Sequence, residues 1–366
     1  MKSVLLLTAG FGEGHNAAAR NLKEALLAAS PDTKVVISDP FLEAYGEFNR
    51  LIQRGYVAAI NHTPVLWQAV FELMDRTRLV ELHMGLYGGA ARRLQELISE
   101  WQPEVIVSTY PGCNHLLDWL YRNRLKRPFR TVTIITDSIT VNTVWHRAHS
   151  HDFIVANEPT AAVMRDAGVA PRKIHVLGFP VPRIFAVQSV HRPVPPADGL
   201  WRVLYVINSG RRLAPDIVRH LLKLENVALS VTVGRDQDLA DRIARVAGEV
   251  GKNPAVYGWT SEMPRLMAEH HLLISKAGGA TVQETLAAKT PMIITQIVPG
   301  QEEGNARLML QRGAGALATT APDIADAVAG AFAHDATEWR SWHEATLALS
   351  RPEASDVIAR FILNRR

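Results

Sequence analysis

Leu272-Leu-Ile-Ser-Lys-Ala-Gly-Gly-Ala-Thr-Val-Gln-Glu-Thr-Leu-Ala-Ala-Lys-Thr-Pro-Met-Ile-Ile-Thr-Gln-Ile-Val-Pro-Gly-Gln-Glu-Glu-Gly-Asn305 decides the fold. It reads as a buried strand (Leu272–Ser275), a glycine turn at Gly278-Gly279, a helix from about Thr281, a second strand (Met292–Thr295) and a polar loop. Short apolar strands separated by a helix are the pattern of a parallel α/β sheet, in which ligands bind beyond the carboxyl ends of the strands. The turn through Gly278, Gly279 and Ala280 gathers free backbone N–H groups at the positive end of a helix dipole, which suits a phosphate. Thr281 and Glu284 are also spaced as a capping box, so a plain helix start accounts for them equally well. The loop Pro299-Gly-Gln-Glu-Glu303 tips the balance, because adjacent amide and acid side chains with no apolar purpose suit sugar hydroxyls.

Here the residues carry a resemblance. The pattern Gly278-Gly-x-Thr281-x-x-Glu284…Pro299-Gly-Gln-Glu-Glu-x-Asn305 resembles the nucleotide-sugar signature of family 28 glycosyltransferases. Within that family it is most similar to the monogalactosyldiacylglycerol synthases and the bacterial diacylglycerol glucosyltransferases. The lipid-II-forming N-acetylglucosaminyltransferase is a more distant likeness, with Gln-Gln where this chain has Gln301-Glu302. The resemblance implies an α/β fold of the GT-B type, two facing Rossmann-like domains with an interdomain cleft. It also implies a UDP-sugar donor, UDP-glucose or UDP-galactose, and a lipid acceptor.

Composition agrees without requiring any of this. A chain of 366 residues is too long for one ordinary core, so two domains are expected. The content is ordinary for a globular protein, 47% hydrophobic and 21% charged. The lone Cys113 rules out an internal disulfide framework and fits a reducing cytoplasm. The opening Met1-Lys-Ser-Val-Leu-Leu-Leu-Thr-Ala9 has too short an apolar run for a signal peptide, and no run approaches the roughly 20 apolar residues of a membrane span. A net charge of +4 is compatible with an anionic membrane surface. Nucleic acid would want denser interleaving of basic and aromatic residues. The expected location is cytoplasmic, peripheral on the inner face of the membrane.

Taken in order, Lys2–Thr8 is an apolar strand running into Ala9-Gly-Phe-Gly-Glu-Gly-His15 and a helix over Asn16–Ser30. Asp39 ends the next strand (Val35–Ser38), about where a dinucleotide's ribose-binding acid would fall. The spacing Gly10-x-Gly12-x-Gly14 and the bulk of His15 argue against that fingerprint. A histidine on the loop at the first helical turn is near neutral, because the dipole opposes its protonation. It can act as a general base, or it can simply bond its own loop. The resemblance favours the base, with Gly12 and Gly14 in the acceptor loop.

Residues 41–101 hold no clean strand but carry amphipathic, aromatic-rich helical patches. Either they form an insertion packed on the core, or a flap that dips into lipid. Pro103–Pro111 is a strand and loop, and Tyr121–Arg130 is the densest basic run, suited to phosphate headgroups or simply solvated. Thr131–Asp137 is a strand presenting Asp137, which orients a base, contacts the acceptor or caps a turn. His146, His149 and His151 lack a companion acid or thiol set, so no metal site is expected and none is needed as a cofactor.

A linker at 186–200 separates a first domain (1–185) from a second (201–340), and a helix within 341–366 is expected to pack back on the first. Val203–Ile207 opens the second domain and ends at Asn208-Ser209-Gly210, where the relatives' loop is richer in glycine than Arg211-Arg212. Those arginines either replace phosphate contacts or are solvated. Val256–Met263 ends in Trp259, a wall for uracil or an ordinary core residue.

The resemblance thus implies uracil against Trp259, Thr260 and Met263, with Asn208 and Ser209 also on the nucleotide and ribose on Glu284. Pyrophosphate falls at Gly278–Thr281, and the hexose on Gln301 and Glu302. His15 and Asp137 are the catalytic candidates of an inverting hexosyltransferase. A UDP-sugar epimerase of the same architecture, or a non-catalytic UDP-sugar sensor, stays open at this point.

Overall fold

Two parallel sheets, each of six strands among the described residues, carry the chain. The computed structural model describes residues 2–123, 126–187, 194–196 and 198–364, with the backbone alone for 57, 58, 60–62, 64 and 65. Arg124 and Leu125 of the basic run, and residues 188–193 and 197 of the expected linker, lie outside the described residues.

The first unit comprises Met1–Arg183 together with Val298–Gly304 and Glu353–Arg366. In chain order it holds β1 (Ser3–Leu7), α1 (Glu13–Ala29) and β2 (Lys34–Ser38). A helical stretch follows: α2 (Pro40–His62, kinked at Gly46), α3 (Pro64–Arg76), α4 (Leu79–Leu82), a 3₁₀ turn (Met84–Tyr87) and α5 (Gly88–Trp101). Then come β3 (Val105–Ser108), α6 (Pro111–Leu120), β4 (Arg130–Ile134), α7 (Val144–Arg147), β5 (Asp152–Val155), α8 (Glu158–Asp166) and β6 (Ile174–Val176). The strand order is β2-β1-β3-β4-β5-β6, so direction reverses between β1 and β3. Every strand is parallel to its neighbours, which is why Val105–Val107 of β3 and Phe153–Val155 of β5 read as apolar runs, buried on both faces.

Successive side chains of β1 feed opposite cores. Val4 and Leu6 join Leu22 and Leu26 of α1, while Leu5 and Leu7 join Leu94 and Leu97 of α5. The first of these cores is closed by Ile358, Ala359 and Ile362 of the chain's last helix, which packs on α1.

The second unit comprises Ile184–Ile297 and Asn305–Pro352. It holds α9 (Ile184–Val187), β7 (Trp201–Val206), α10 (Ala214–Lys223), β8 (Val227–Gly234), α11 (Gln237–Val250), β9 (Ala255–Gly258) and α12 (Met263–Glu269). It continues with β10 (Leu272–Ser275), α13 (Gly279–Ala287), β11 (Met292–Ile294), α14 (Glu303–Gln311), β12 (Gly315–Leu317) and α15 (Ala321–Leu349, broken at residues 333–336). The last helix, α16 (Ala354–Asn364), belongs to the first unit. The strand order β12-β11-β10-β7-β8-β9 reverses between β10 and β7. Strand β10 is fully buried, whereas the edge strand β9 is largely exposed.

Candidate functional site

Each sheet presents one switch point, where the chain's direction of travel reverses and two neighbouring loops diverge. In the first unit this lies past β1 and β3, and the sequence places His15 after one and Thr109 after the other. Helix α1 starts at Glu13 rather than Asn16, so His15 sits inside the first turn, and Gly14 is helical too. This corrects the loop placement expected for both residues. Acid is favourable in a first turn, so Glu13 prolongs the helix backwards. Gly12 is the N-cap at φ 124°, a conformation that side chains rarely adopt.

His15 is buried, and its Nδ1 lies 2.7 Å from the carbonyl oxygen of Thr109. A carbonyl only accepts, so Nδ1–H donates and Nε2 is left with its lone pair. The hydroxyl of Thr136 is 3.2 Å from the same Nδ1. Burial pulls the imidazole pKa from 6.5 down to about 4, against the Thr109 carbonyl, which favours the cation. The ring is held by Tyr110 (centroids 5.3 Å, edge-on) and Trp145 (6.0 Å, tilted).

Trp145 links the histidine to Asp137. Its Nε1–H donates to Asp137 Oδ2 at 2.7 Å. Asp137 is not at the end of β4, which stops at Ile134, but in the loop three residues on. Burial raises its pKa to about 6, the Trp145 bond opposes this, and the charge of Glu302 adds to it. Its side chain thus meets the tryptophan instead of capping a turn.

Glu302 and Gln301 come to the same place, because Val298–Gly304 belongs to the first unit. Tyr56 Oη donates to Gln301 Oε1 at 3.0 Å. Glu302, 5% exposed, closes its own loop: Oε2 accepts from Val298 N at 3.0 Å, and Glu302 N donates to Val298 O at 2.9 Å. The loop's end rests on the β4–α7 segment, where Gly304 N donates to Thr140 Oγ1 at 3.0 Å. A Cβ at Gly304 would stand 1.7 Å from the carbonyl oxygen of Ser138, so no other residue fits. Phe11, Tyr56, Trp67 and Tyr110 form a ring-to-ring wall with centroids 4.8–5.7 Å apart.

Asp39 is accounted for without a ribose. Its Oδ2 accepts from Gly10 N at 2.9 Å and its Oδ1 from Phe41 N and Leu42 N, capping α2. The helical stretch is neither wholly core nor wholly free. Phe41 and Met84 are buried, while Phe48 (65% exposed), Leu51, Leu66, Leu73, Leu82 (77%) and Leu86 (76%) face out.

In the second unit the switch point lies past β7 and β10. Ser275 Oγ donates to Val206 O at 3.1 Å and lies 3.4 Å from Asn208 Oδ1, which brings Asn208 beside the carboxyl end of β10, the strand that leads into α13. That helix begins at Gly279 with Gly278 as N-cap. The capping-box reading is therefore wrong: Thr281 is the third helical residue, and no side chain caps this end. Gly278 has no side-chain oxygen to offer, so the N–H groups of Gly279, Ala280 and Thr281 lack both intrahelical acceptors and a side-chain cap. Glu284 follows on the same helix. Trp259 and Thr260 stand apart, past β9 at the sheet edge, with Met263 opening α12. Trp259 is 68% exposed, which disposes of the core-packing alternative, and the Arg235 guanidinium lies over its ring at 5.3 Å. Thr260 Oγ1 accepts from Glu262 N. Arg211 is ion-paired with Asp236 at 3.0 Å rather than merely solvated.

The sequence reading missed Thr109, whose contribution is a backbone carbonyl and leaves no side-chain signal. Tyr56 and Arg235 were also missed, although an aromatic in an amphipathic helix and a cation after a strand both hint at them. Among the described residues no cluster of three or more His, Cys, Asp or Glu is placed to hold a metal, and no helix is long and apolar enough to cross a membrane.

Comparison with known proteins bears on this geometry. Residues 15–181 match the monogalactosyldiacylglycerol synthase family model, and residues 211–321 match the glycosyltransferase family 28 C-terminal domain. The chain is 26% identical over 373 residues to a monogalactosyldiacylglycerol synthase 3 of Arabidopsis thaliana, covering 97% of this chain and 79% of the relative. It is 24% identical over 342 residues to a processive diacylglycerol beta-glucosyltransferase of Bacillus subtilis, covering 92% and 88%. The crystal structure of Acinetobacter baumannii MurG matches all of both chains with a TM-score of 0.67 at 13% identity, which shows the shared GT-B fold.

Proposed function

We propose that this chain, which belongs to glycosyltransferase family 28, moves a hexose from a UDP-sugar to the hydroxyl of a diacylglycerol-type lipid with inversion at the anomeric carbon. The observation that carries the reading is the tautomer of His15: with Nδ1–H held by Thr109, the free Nε2 is a ready base at neutral pH.

In this reading the acceptor's O–H proton passes to His15 Nε2 while its oxygen forms a bond to the anomeric carbon. The bond from that carbon to the β-phosphate oxygen breaks, and UDP leaves with the electron pair. The imidazolium so formed faces Trp145, behind which the Asp137 carboxylate supplies compensating charge. Charge growing on UDP is met by the uncapped N–H groups at Gly279–Thr281 and by the dipole of α13, which needs no divalent metal. Asn208 and Ser209 flank that diphosphate, Glu284 takes the ribose hydroxyls, and Trp259, Thr260 and Met263 receive the uracil. Gln301 and Glu302 bind the hexose, UDP-glucose or UDP-galactose being the donor. The aromatic wall of Phe11, Tyr56 and Tyr110 near the base suits the glycerol and first methylenes of the acceptor.

The outward apolar residues of α2, α3 and the 3₁₀ turn support a peripheral seat on an anionic, cytoplasm-facing membrane surface. The names of the two relatives, one a galactolipid synthase and one a glucosyltransferase, both favour transfer over epimerisation. The deciding assay follows UDP release from UDP-glucose and UDP-galactose with and without diacylglycerol. Acceptor-dependent release is expected. A new UDP-sugar formed without release means epimerisation, and binding without either product means a sensor.

A further inference from the structure

Away from the reacting residues, the first unit has a second concave feature whose chemistry nothing above uses. It is an open cleft of about 640 Å³ lined by Asp118, Tyr121, Arg122, Lys126, Arg127, His149 and His151. These residues come from the end of α6, from the approach to β4 and from the approach to β5. They therefore sit at the amino ends of β4 and β5, while Thr136 and Asp137 lie past the carboxyl end of β4. A five-residue strand spans about 17 Å, so the two places are on opposite rims of the sheet.

We infer that this cleft is a binding site for a compact phosphate-class anion, a phosphomonoester or diphosphate group. The lining offers three cations, Arg122, Lys126 and Arg127, against one carboxylate, and that carboxylate is already committed. Asp118 pairs with Arg127 through Oδ1 and accepts from His149 N at 2.9 Å through Oδ2. Arg127 is thereby fixed in place, with NH1 also donating to His149 O at 3.4 Å. Arg122 is fixed as well: its guanidinium lies over the Trp119 ring at 4.3 Å and donates to Trp119 O at 2.7 Å. Two guanidinium planes held before a ligand arrives are the form of site that suits a phosphate's several oxygens.

The histidines add a directed donor. His151 Nδ1 accepts from Thr131 N at 3.0 Å and lies 2.8 Å from Thr131 Oγ1, so its proton is on Nε2. His149 stands edge-on to it, with centroids 4.9 Å apart. Both have depressed pKa values: burial comes first, then the Arg127 and Lys173 charges, and for His151 its neighbour His149 as well. Asp118 opposes the shift at His149 and Asp152 at His151.

A free phosphate compound and a phospholipid headgroup share this chemistry, so the test has two arms. In the first, inorganic pyrophosphate is titrated calorimetrically into the full chain with saturating UDP present, which keeps the probe off the α13 helix start. In the second, the chain is sedimented with phosphatidylcholine vesicles containing phosphatidate. Each arm compares the wild type with Arg122→Ala/Lys126→Ala, with the charge-keeping Arg122→Lys/Lys126→Arg, and with Arg172→Ala/Arg245→Ala, which removes equal charge elsewhere.

A loss of tenfold or more in the first variant alone is expected. Its appearance with pyrophosphate identifies a free phosphate compound, and its appearance only with vesicles identifies a headgroup. If the first variant matches the wild type in both arms, or if the Arg172/Arg245 control falls equally, the site is overturned. Acceptor-dependent UDP release, measured separately, does not depend on this outcome.

Discussion

The carbonyl oxygen of Thr109 lies 2.7 Å from Nδ1 of His15 and decides which nitrogen of the ring is basic. A carboxylate in that place would raise the imidazole pKa strongly, whereas a carbonyl orients the ring at little electrostatic gain. Burial then prevails, and the ring stays neutral at physiological pH.

Removal of that base is the first expectation. His15→Ala loses about 10²–10⁴-fold in turnover, the usual worth of a positioned base. UDP affinity, read by calorimetry, stays within about twofold because no nucleotide contact is assigned to His15. Unchanged turnover removes His15 from the mechanism.

The acid side of the rate profile reports on Asp137 rather than on His15. With Asp137 at about 6 and His15 at about 4, activity falls as pH drops through 6, where the carboxylate charge behind Trp145 is neutralised. Trp145→Phe deletes the one hydrogen bond that holds the Asp137 pKa down, so the falling limb moves to higher pH. In Asp137→Asn the limb moves toward 4, at the expense of overall rate. A limb that stays put in both variants contradicts the assignment.

Stability carries its own signature. Native His15 binds fewer protons than the unfolded chain between pH 4 and 6.5, so its contribution weakens as pH falls through that window. The shift corresponds to about 3 kcal/mol. Asp137 acts in the opposite sense between 3.8 and about 6, where the native state holds the extra proton. Urea midpoints of the wild type and His15→Gln are therefore compared at pH 7.5 and 4.5. The wild type is expected to lose more than the variant between the two pH values.

Tyr56 is placed to steady Gln301, which the proposed reaction sets against the hexose. Tyr56→Phe forfeits one hydrogen bond worth about 0.5–1.5 kcal/mol, and the donor KM is expected to rise about two- to tenfold with kcat little changed. An equal fall in kcat at constant KM points instead to a part in the transition state.

Gly304→Ala tests the loop's seat. Its Cβ meets backbone at Ser138 and Thr140 more closely than it meets the Thr140 hydroxyl, so turning that side chain away does not relieve the contact. Overpacking of this kind costs about 1–3 kcal/mol, and a fall in melting temperature together with loss of transfer is expected. Retention of both shows that the loop rests elsewhere.

The strands were legible because parallel strands buried on both faces are apolar from end to end. The Leu272–Ile274 run of β10 is the clearest case. Helix starts were less so. Thr281 and Glu284 have the spacing of a capping box whether the helix begins at Thr281 or two residues before it, and only the backbone tells the two apart. The start of α1 was misread because Glu13-Gly14 looks like loop, although an acid is at home in a first turn. The partners of the 298–304 loop were beyond reach: Tyr56, Ser138 and Thr140 stand more than 160 residues away in sequence, and no local periodicity records such a pairing.

Because Val298–Gly304 and Glu353–Arg366 belong with Met1–Arg183, the first unit is not a continuous piece of chain. A fragment ending at Arg183 would bare the apolar face of α1 that Ile358 and Ile362 cover, and would lack the segment that Tyr56 holds. Chimeras of such transferases that exchange halves at a single cut therefore part the 298–304 loop and the tail of one parent from their seats at Tyr56, Ser138, Thr140 and α1, so a working chimera needs those seats to match across parents.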